Sequence, residues 1–200
     1  MKIQQLTVYL SETMPGSNML NGIRAFDDAV YEFVSGFISD NMTRFMKIVT
    51  FLGSQWFITS LTVLIPALIF ILRKKKYYRP GLLIPANIAM GALFNLILKL
   101  IFRRPRPELL RLVEESGYSF PSGHSMSSLI FYGFFAYLLV RYGKHRSKYF
   151  FVGVLGVLVV LIGLSRIYLG VHYASDVLAG FLVGAGWLIL AIRASDKFLN

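Results

Sequence analysis

Long uncharged runs separated by short basic or proline-containing breaks dominate the chain, and their lengths suit helices that cross a bilayer. A hydrocarbon core takes roughly 20 helical residues. Ile48 to Leu72 carries no charge and exceeds that length. Pro80 to Leu98 is a second run, closed by Lys99. Ser125 to Val140, Tyr149 to Ser165 and a stretch from about Gly170 to Ile192 complete five predicted spans. The last three are short as strictly uncharged runs, and reach spanning length if their polar ends lie at the interface or face a protein-lined cavity. Gly153 with Gly156, and Gly180 with Gly184, are read as small residues that let helices approach closely.

Upstream the pattern changes. Phe26, Ala29, Val30, Phe33 and Phe37 recur at helical spacing, but Asp27, Asp28, Glu32 and Asp40 interrupt them. Met42, Phe45, Met46 and Val49 continue the stripe beside Arg44 and Lys47. Residues from Phe26 to about Lys47 are therefore predicted to form amphipathic helix lying at the membrane interface. Residues 1–25 are polar, contain Pro15, Gly16, Ser17 and Asn18, and show neither a span nor the apolar core of a signal peptide. The expected organisation is that polar segment followed by a single membrane-embedded domain, residues 26–200. The fold class is all-α, a polytopic membrane helix bundle.

Composition agrees. Of the 200 residues 56% are hydrophobic and mean hydropathy is +0.60, too apolar for a hydrated globular surface. A net charge of +11 would suggest nucleic acid in a soluble protein. Here the basic residues fall between apolar runs, where membrane topology and phosphate binding explain them, so no nucleic acid is expected. There is no cysteine, which excludes disulfides and thiolate metal sites.

The loops set the orientation. Arg73, Lys74, Lys75, Lys76 and Arg79 follow the first span, and Arg141, Lys144, Arg146 and Lys148 follow the third. Parity puts both loops on one face, and their charge makes it cytoplasmic. The opposite face then gathers most of the unusual polar residues. They are Lys99 with Arg103, Arg104 and Arg106, then Pro121-Ser122-Gly123-His124, then Ser165-Arg166, then His172 and Asp176. Two of the three histidines are among them, whereas His145 sits in a basic loop and reads as solvated.

Each piece alone has a plain explanation. A basic cluster after a span can be an interfacial anchor. Pro-Ser-Gly before a helix can be only a turn and a helix start. A His and Asp four apart can be a stabilising pair on a helix. Their convergence on one face is what points to chemistry, and the chemistry they suit is phosphoryl transfer. Lys99, Arg106 and Arg166 supply cations, and arginine can grip two oxygens at once. Ser122 supplies a hydroxyl, and the backbone N–H groups around Gly123 open a helix, where anions are favoured. With one helical turn between them, Asp176 can hold one ring nitrogen of His172 and leave the other free to attack. His124, from another helix, can protonate the departing oxygen. No carboxylate cluster accompanies these histidines, so a metal centre is a poor alternative and no cofactor is expected.

These residues form three motifs: Lys99 followed by Arg106-Pro107, then Pro121 to His124, then Ser165-Arg166 with His172 and Asp176. In that order they resemble the signatures of the type 2 phosphatidic acid phosphatase superfamily, over about residues 26–192. The resemblance implies phosphate ligands at Lys99, Arg106, Ser122, Gly123 and Arg166, a phosphohistidine at His172 oriented by Asp176, and an acid at His124. It implies a lipid phosphate or pyrophosphate as substrate, with undecaprenyl pyrophosphate, phosphatidylglycerophosphate and phosphatidic acid as candidates. Substrate selection is expected in the loop Glu108 to Tyr118, where Glu114 and Glu115 otherwise read as solvated. Membrane members of that family usually have six spans, one more than is read here. Two rivals remain at this stage. A vanadate-haloperoxidase-like enzyme would share the anion pocket, but those enzymes are soluble. A transporter or scaffold would use Lys99 and Asp176 as pathway residues, but gives no reason for two histidines beside three cations.

Overall fold

The computed structural model describes residues 17–108 and 110–199 as seven α-helices joined by turns and one long loop. In chain order these are α1 (Ser17–Ser35), α2 (Asp40–Leu52), α3 (Gln55–Ile71), α4 (Tyr78–Phe102), α5 (Gly123–Tyr142), α6 (Lys148–Tyr168) and α7 (Ala174–Leu199), with a short 3₁₀ turn at Lys75–Tyr77. The first sixteen residues of the polar N-terminal segment lie outside the described residues, but its last nine already belong to α1.

Helices α4 to α7 are each long and apolar enough to cross a membrane. Helices α4 to α6 extend a few residues beyond the uncharged runs because polar residues at their ends remain helical, whereas α7 starts only at Ala174, after a turn at Gly170 to Tyr173, and runs on past Ile192 to Leu199. The first predicted span is different. It is not one helix from Ile48 but two, α2 and α3, which bend by 43° where they meet and make a fifth span only if taken together. The cause is local: Ser54 caps α3 by accepting the Phe57 N–H at 3.2 Å. Gly53 sits so close to α6 that a Cβ there would lie 2.4 Å from Cγ2 of Ile162. The predicted amphipathic stretch also divides in two, because Ser39 caps a new helix through the Met42 N–H.

Packing centres on α5, which touches α4, α6 and α7. Phe131, Tyr132 and Phe134 meet Val49, Ile58, Ile84, Val159 and Ile162 in one buried cluster. Within lipid, close packing rather than water exclusion holds helices together. Gly180 and Gly184 permit it, since a Cβ would stand 2.7 Å from the Ser122 carbonyl and 3.2 Å from that of Met126, respectively. Gly153 and Gly156 do not act this way: nothing lies within 4 Å of a Cβ at either position. They fall on the lipid-facing side of α6, among exposed Val154, Val157 and Val160.

The two ends of the bundle separate as parity requires. Rings of Tyr77 and Tyr142 meet 5.6 Å apart, so the α3–α4 and α5–α6 connections share one end. At the other end the α4–α5 loop meets the α6–α7 turn through Leu112 N–H to the Leu169 carbonyl, 3.1 Å. Helices α1 and α2 are fastened there as well. Val30 and Val34 pack on Ile167, Ala174 and Val177, and the Tyr168 hydroxyl lies 2.9 Å from the Thr43 hydroxyl.

Candidate active site

Four chain segments build the site. Helix α4 brings Lys99 and then stops, because Arg103 turns left-handed with φ 45°. The loop that follows carries Arg104, Arg106, Glu115 and Ser119 and leads into Ser122, the N-cap of α5. Helix α6 contributes Arg166 in its last turn. Gly170, with φ +70°, reverses the chain immediately beyond, in a place where a Cβ would meet the Leu110 carbonyl at 2.3 Å. That turn delivers His172, and α7 starts two residues later.

The predicted His172–Asp176 contact forms, but not on a helix. His172 lies in the turn and Asp176 in the first turn of α7, with Nδ1 and Oδ2 3.5 Å apart. The backbone closes the arrangement: the His172 N–H donates to the Arg166 carbonyl at 3.3 Å, and the Tyr173 N–H donates to Asp176 Oδ2 at 3.0 Å. Ser119, which nothing in the sequence singled out, stands between the two side chains. Its hydroxyl donates to Asp176 Oδ2 at 2.5 Å and lies 3.2 Å from His172 Nδ1.

On the other side of the ring, Arg106 Nη1 lies 3.1 Å from His172 Nε2 and donates to the Val171 carbonyl at 3.0 Å. Arginine has donors only, so Nε2 accepts and its lone pair faces Arg106. The ring proton is then on Nδ1, directed at the Ser119 oxygen, whose own proton goes to Asp176. Ser119 and Asp176 thus select the tautomer. Burial pushes the pKa of His172 down to about 4 against the pull of Asp176, with Arg166 and Arg106 lowering it further, so the ring is neutral at pH 7.

Beyond Nε2 opens a cavity of about 790 Å³. Lys99, Arg106, Glu115, Gly123, His124 and His172 line its head. Ile58, Val63, Ile88, Leu93 and Leu96 of α3 and α4 line much of the rest, together with the polar Gln55, Thr59, Thr62 and Asn95. Of the other predicted site residues, Arg166 is 1% exposed. It donates through Nη1 to the Thr50 hydroxyl at 2.7 Å and pairs through Nη2 with Glu115. Its Nε is buried with no hydrogen-bond partner among the described residues. Lys99 Nζ donates to the Tyr118 carbonyl at 2.6 Å. Ser122 is wholly buried, and its oxygen accepts from the Ser125 hydroxyl at 2.9 Å. His145 is exposed, as expected. Glu114 is exposed too, but Glu115 turns inward and reaches Arg106 Nη2 at 3.8 Å as well as Arg166. Among the described residues no three His, Asp or Glu side chains come together in a way that could hold a metal ion.

Comparison with known proteins decides the family. The PAP2 superfamily signature matches residues 80–199, from the start of α4 through α7. The chain belongs to the PAP2 superfamily. Phosphatidylglycerophosphatase B of Bacillus subtilis (strain 168) is 37% identical over 181 residues, 88% of this chain and 86% of that protein. The crystal structure of a transmembrane PAP2 type phosphatidylglycerolphosphate phosphatase from Bacillus subtilis matches with a TM-score of 0.81 at 36% identity, covering 88% of each chain. That of Aquifex aeolicus LpxE matches with a TM-score of 0.63 at 26% identity, covering 82% of this chain and 93% of the other. An undecaprenyl-diphosphatase of Sulfolobus acidocaldarius is 27% identical over 138 residues, 66% of this chain and 63% of that protein. This PAP2 protein is a multi-pass membrane hydrolase acting on phosphate esters.

Proposed function

We propose that this PAP2 protein hydrolyses the phosphate monoester or pyrophosphate of a membrane lipid through a phosphohistidine at His172, without a metal. One observation carries the reading: a neutral, oriented histidine nitrogen stands at the cationic head of a cavity that runs on between α3 and α4, where Ile58, Val63, Ile88, Leu93 and Leu96 line it beside Gln55, Thr59, Thr62 and Asn95. A headgroup phosphate fits the first part and a hydrocarbon tail the second.

As Arg106 Nη1 turns from His172 Nε2 to a phosphate oxygen, Nε2 attacks phosphorus, and the bond to the lipid oxygen breaks as His124 gives that oxygen a proton. Water then attacks the phosphohistidine, with His124 taking the proton back, to release inorganic phosphate. Arg106, Arg166 and Lys99 stabilise charge on the transferring group. Arg166 Nε is a buried donor without a partner among the described residues, and can turn to a ligand oxygen. Gly123 offers its N–H at the start of α5. Ser122, engaged as the cap, holds that helix start in place. Asp176 orients His172 and offsets the positive charge it gains. Phosphatidylglycerophosphate is the first substrate to test, because a relative matched over 88% of the chain is named for it. Undecaprenyl pyrophosphate and phosphatidic acid complete the panel.

Brief reaction with ³²P-labelled lipid and an alkaline quench traps an acid-labile phosphoenzyme on this reading, and His172→Ala traps none. An adduct that persists in His172→Ala defeats it. Activity that survives excess EDTA and falls with vanadate supports the metal-free route, and loss on chelation restored by a divalent ion defeats that part. The site is assigned to the extracytoplasmic face by the nine basic residues of the opposite loops. In this cysteine-free chain, Glu114→Cys should label with an impermeant thiol reagent in intact cells and Lys75→Cys should not. The reverse pattern inverts the topology.

A further inference from the structure

Asp27 is out of place on an amphipathic interfacial helix. It is 3% exposed, although its neighbours Phe26 and Asp28 face outward. Its Oδ1 accepts the Ser175 N–H at 2.7 Å. Its Oδ2 accepts from the Ser175 hydroxyl at 2.7 Å and from Arg104 Nη2 at 2.8 Å. Arg104 continues the chain: Nη1 donates to Asp176 Oδ1 at 2.8 Å, and the guanidinium lies over the Tyr173 ring, 4.0 Å from its centre. Asp176 Oδ2, the second oxygen of that carboxylate, is the one beside His172. Neither Asp27 nor Arg104 lines the cavity. An anchor for α1 alone needs only the two Ser175 contacts. Arg104 instead spends both its terminal nitrogens joining the α1 carboxylate to the carboxylate that orients the histidine.

We propose that Asp27 and Arg104 are positioning residues for the reaction: through Asp176 they fix the orientation and charge felt by His172, which makes helix α1 part of the active-site machinery. The inference rests on His172 being the nucleophile. Arg104 neutralises part of the Asp176 charge, and Asp27 in turn neutralises part of Arg104. The other groups that face His172 are Arg106 and Glu115 of the long loop, Arg166 of α6, Lys99 of α4 and His124 of α5. None of these is altered by the test.

The test is the pH dependence of kcat/KM for purified protein in detergent with a lipid phosphate, for the parent, Asp27→Asn, Arg104→Gln and Arg104→Lys. Loss of the Arg104 cation leaves Asp176 to act more fully on His172, so the acidic limb moves to higher pH in Arg104→Gln. Asp27→Asn leaves the Arg104 cation less compensated, so the limb moves to lower pH. Each shift should be on the order of half a pH unit, smaller than for a charge in direct contact. Arg104→Lys keeps the charge but not the planar fork, so its limb stays near the parent position while kcat falls. Losses up to about a hundredfold are expected in kcat with little change in KM, as for displaced groups that do not touch substrate. Limbs that stay put, or that move the same way in Asp27→Asn and Arg104→Gln, overturn the inference and leave α1 as a structural clamp. Thermal unfolding accompanies each variant. Should Arg104→Gln fail to fold, Asp27→Asn and Arg104→Lys decide, because only the former should shift its limb. His172→Ala separates the two ideas. An active His172→Ala defeats the nucleophile reading and this inference with it. An inactive one beside unshifted limbs defeats the inference alone.

Discussion

Both ends of this bundle are basic, and the two ends use their cations in opposite ways. In the connections α3–α4 and α5–α6, Lys74, Lys75, Lys76, Lys144 and Arg146 are exposed. At the site end, Arg166 is buried against Thr50 and Glu115, Arg106 is held by backbone carbonyls, and Arg104 spans two carboxylates. Equal charge therefore carries different information. A hydrated lysine can respond to a membrane potential or a lipid surface, but it is screened and mobile. A desolvated arginine with fixed partners stabilises charge without having to reorganise during the reaction.

Substitutions at the two ends sharpen that contrast. On the proposed reading His172→Ala gives the largest effect, a fall in kcat of at least about 10⁴-fold on any phosphate ester, as for lost nucleophiles elsewhere. His124→Ala follows, and its cost depends on the leaving group: roughly 10²–10⁴-fold on a lipid phosphate and much less on p-nitrophenyl phosphate. Equal losses on both substrates would remove the assignment of His124 as the acid. Arg166→Lys keeps the charge and loses the fork, and should still cost roughly a hundredfold or more in kcat. A near-normal rate there would mean that charge alone suffices at the site end, and the contrast between the ends would collapse. Lys75→Ala and Lys144→Ala should stay within about twofold, the range of exposed substitutions away from special contacts.

The smallest and most diagnostic change is in pH. His172 must be neutral to attack, and its pKa is lowered to about 4. The neutral form prevails above that value, so the acidic limb of kcat/KM should fall at about pH 4, while a separate alkaline limb follows as His124 loses the proton it must donate. A limb near 6.5, the ordinary histidine value, would mean that His172 is far better hydrated in solution.

Much of this was legible in one dimension. Runs of apolar residues located α4 to α6 within a few residues, because lipid demands unbroken helices and charges mark their ends, and placed α7 with looser bounds. The order of Lys99, Arg106, His124, Arg166, His172 and Asp176 was legible because parity alone assigns helix ends to faces. What escaped depends on contacts between distant segments. Gly53 and Ser54 lie inside an uncharged run, so the bend there is marked by no charge, only by a Gly-Ser-Gln step. Ser119 reads as one more loop serine until it is seen between His172 and Asp176. Asp27 reads as an interruption of an apolar face, since an acid on an amphipathic helix usually meets water. Only the packing of α1 on α7 reveals that it does not. Glu115 looks no different from Glu114 in sequence, and the two part company only when the loop folds over Arg166.

Glu115 carries a consequence of its own. With its carboxylate between Arg166 and Arg106, Glu115 offsets one of the cations of the resting pocket and leaves the head cationic. On the proposed reading, arrival of substrate is in part an exchange of one anion for another at those two arginines. Such an exchange trims the net attraction for the headgroup and gives the side chains of α3 and α4 a larger share of the affinity. Inorganic phosphate has no tail and must compete with a tethered carboxylate for the same arginines. Turnover is thereby favoured at its last step, because the returning side chain helps expel the product that the reaction creates.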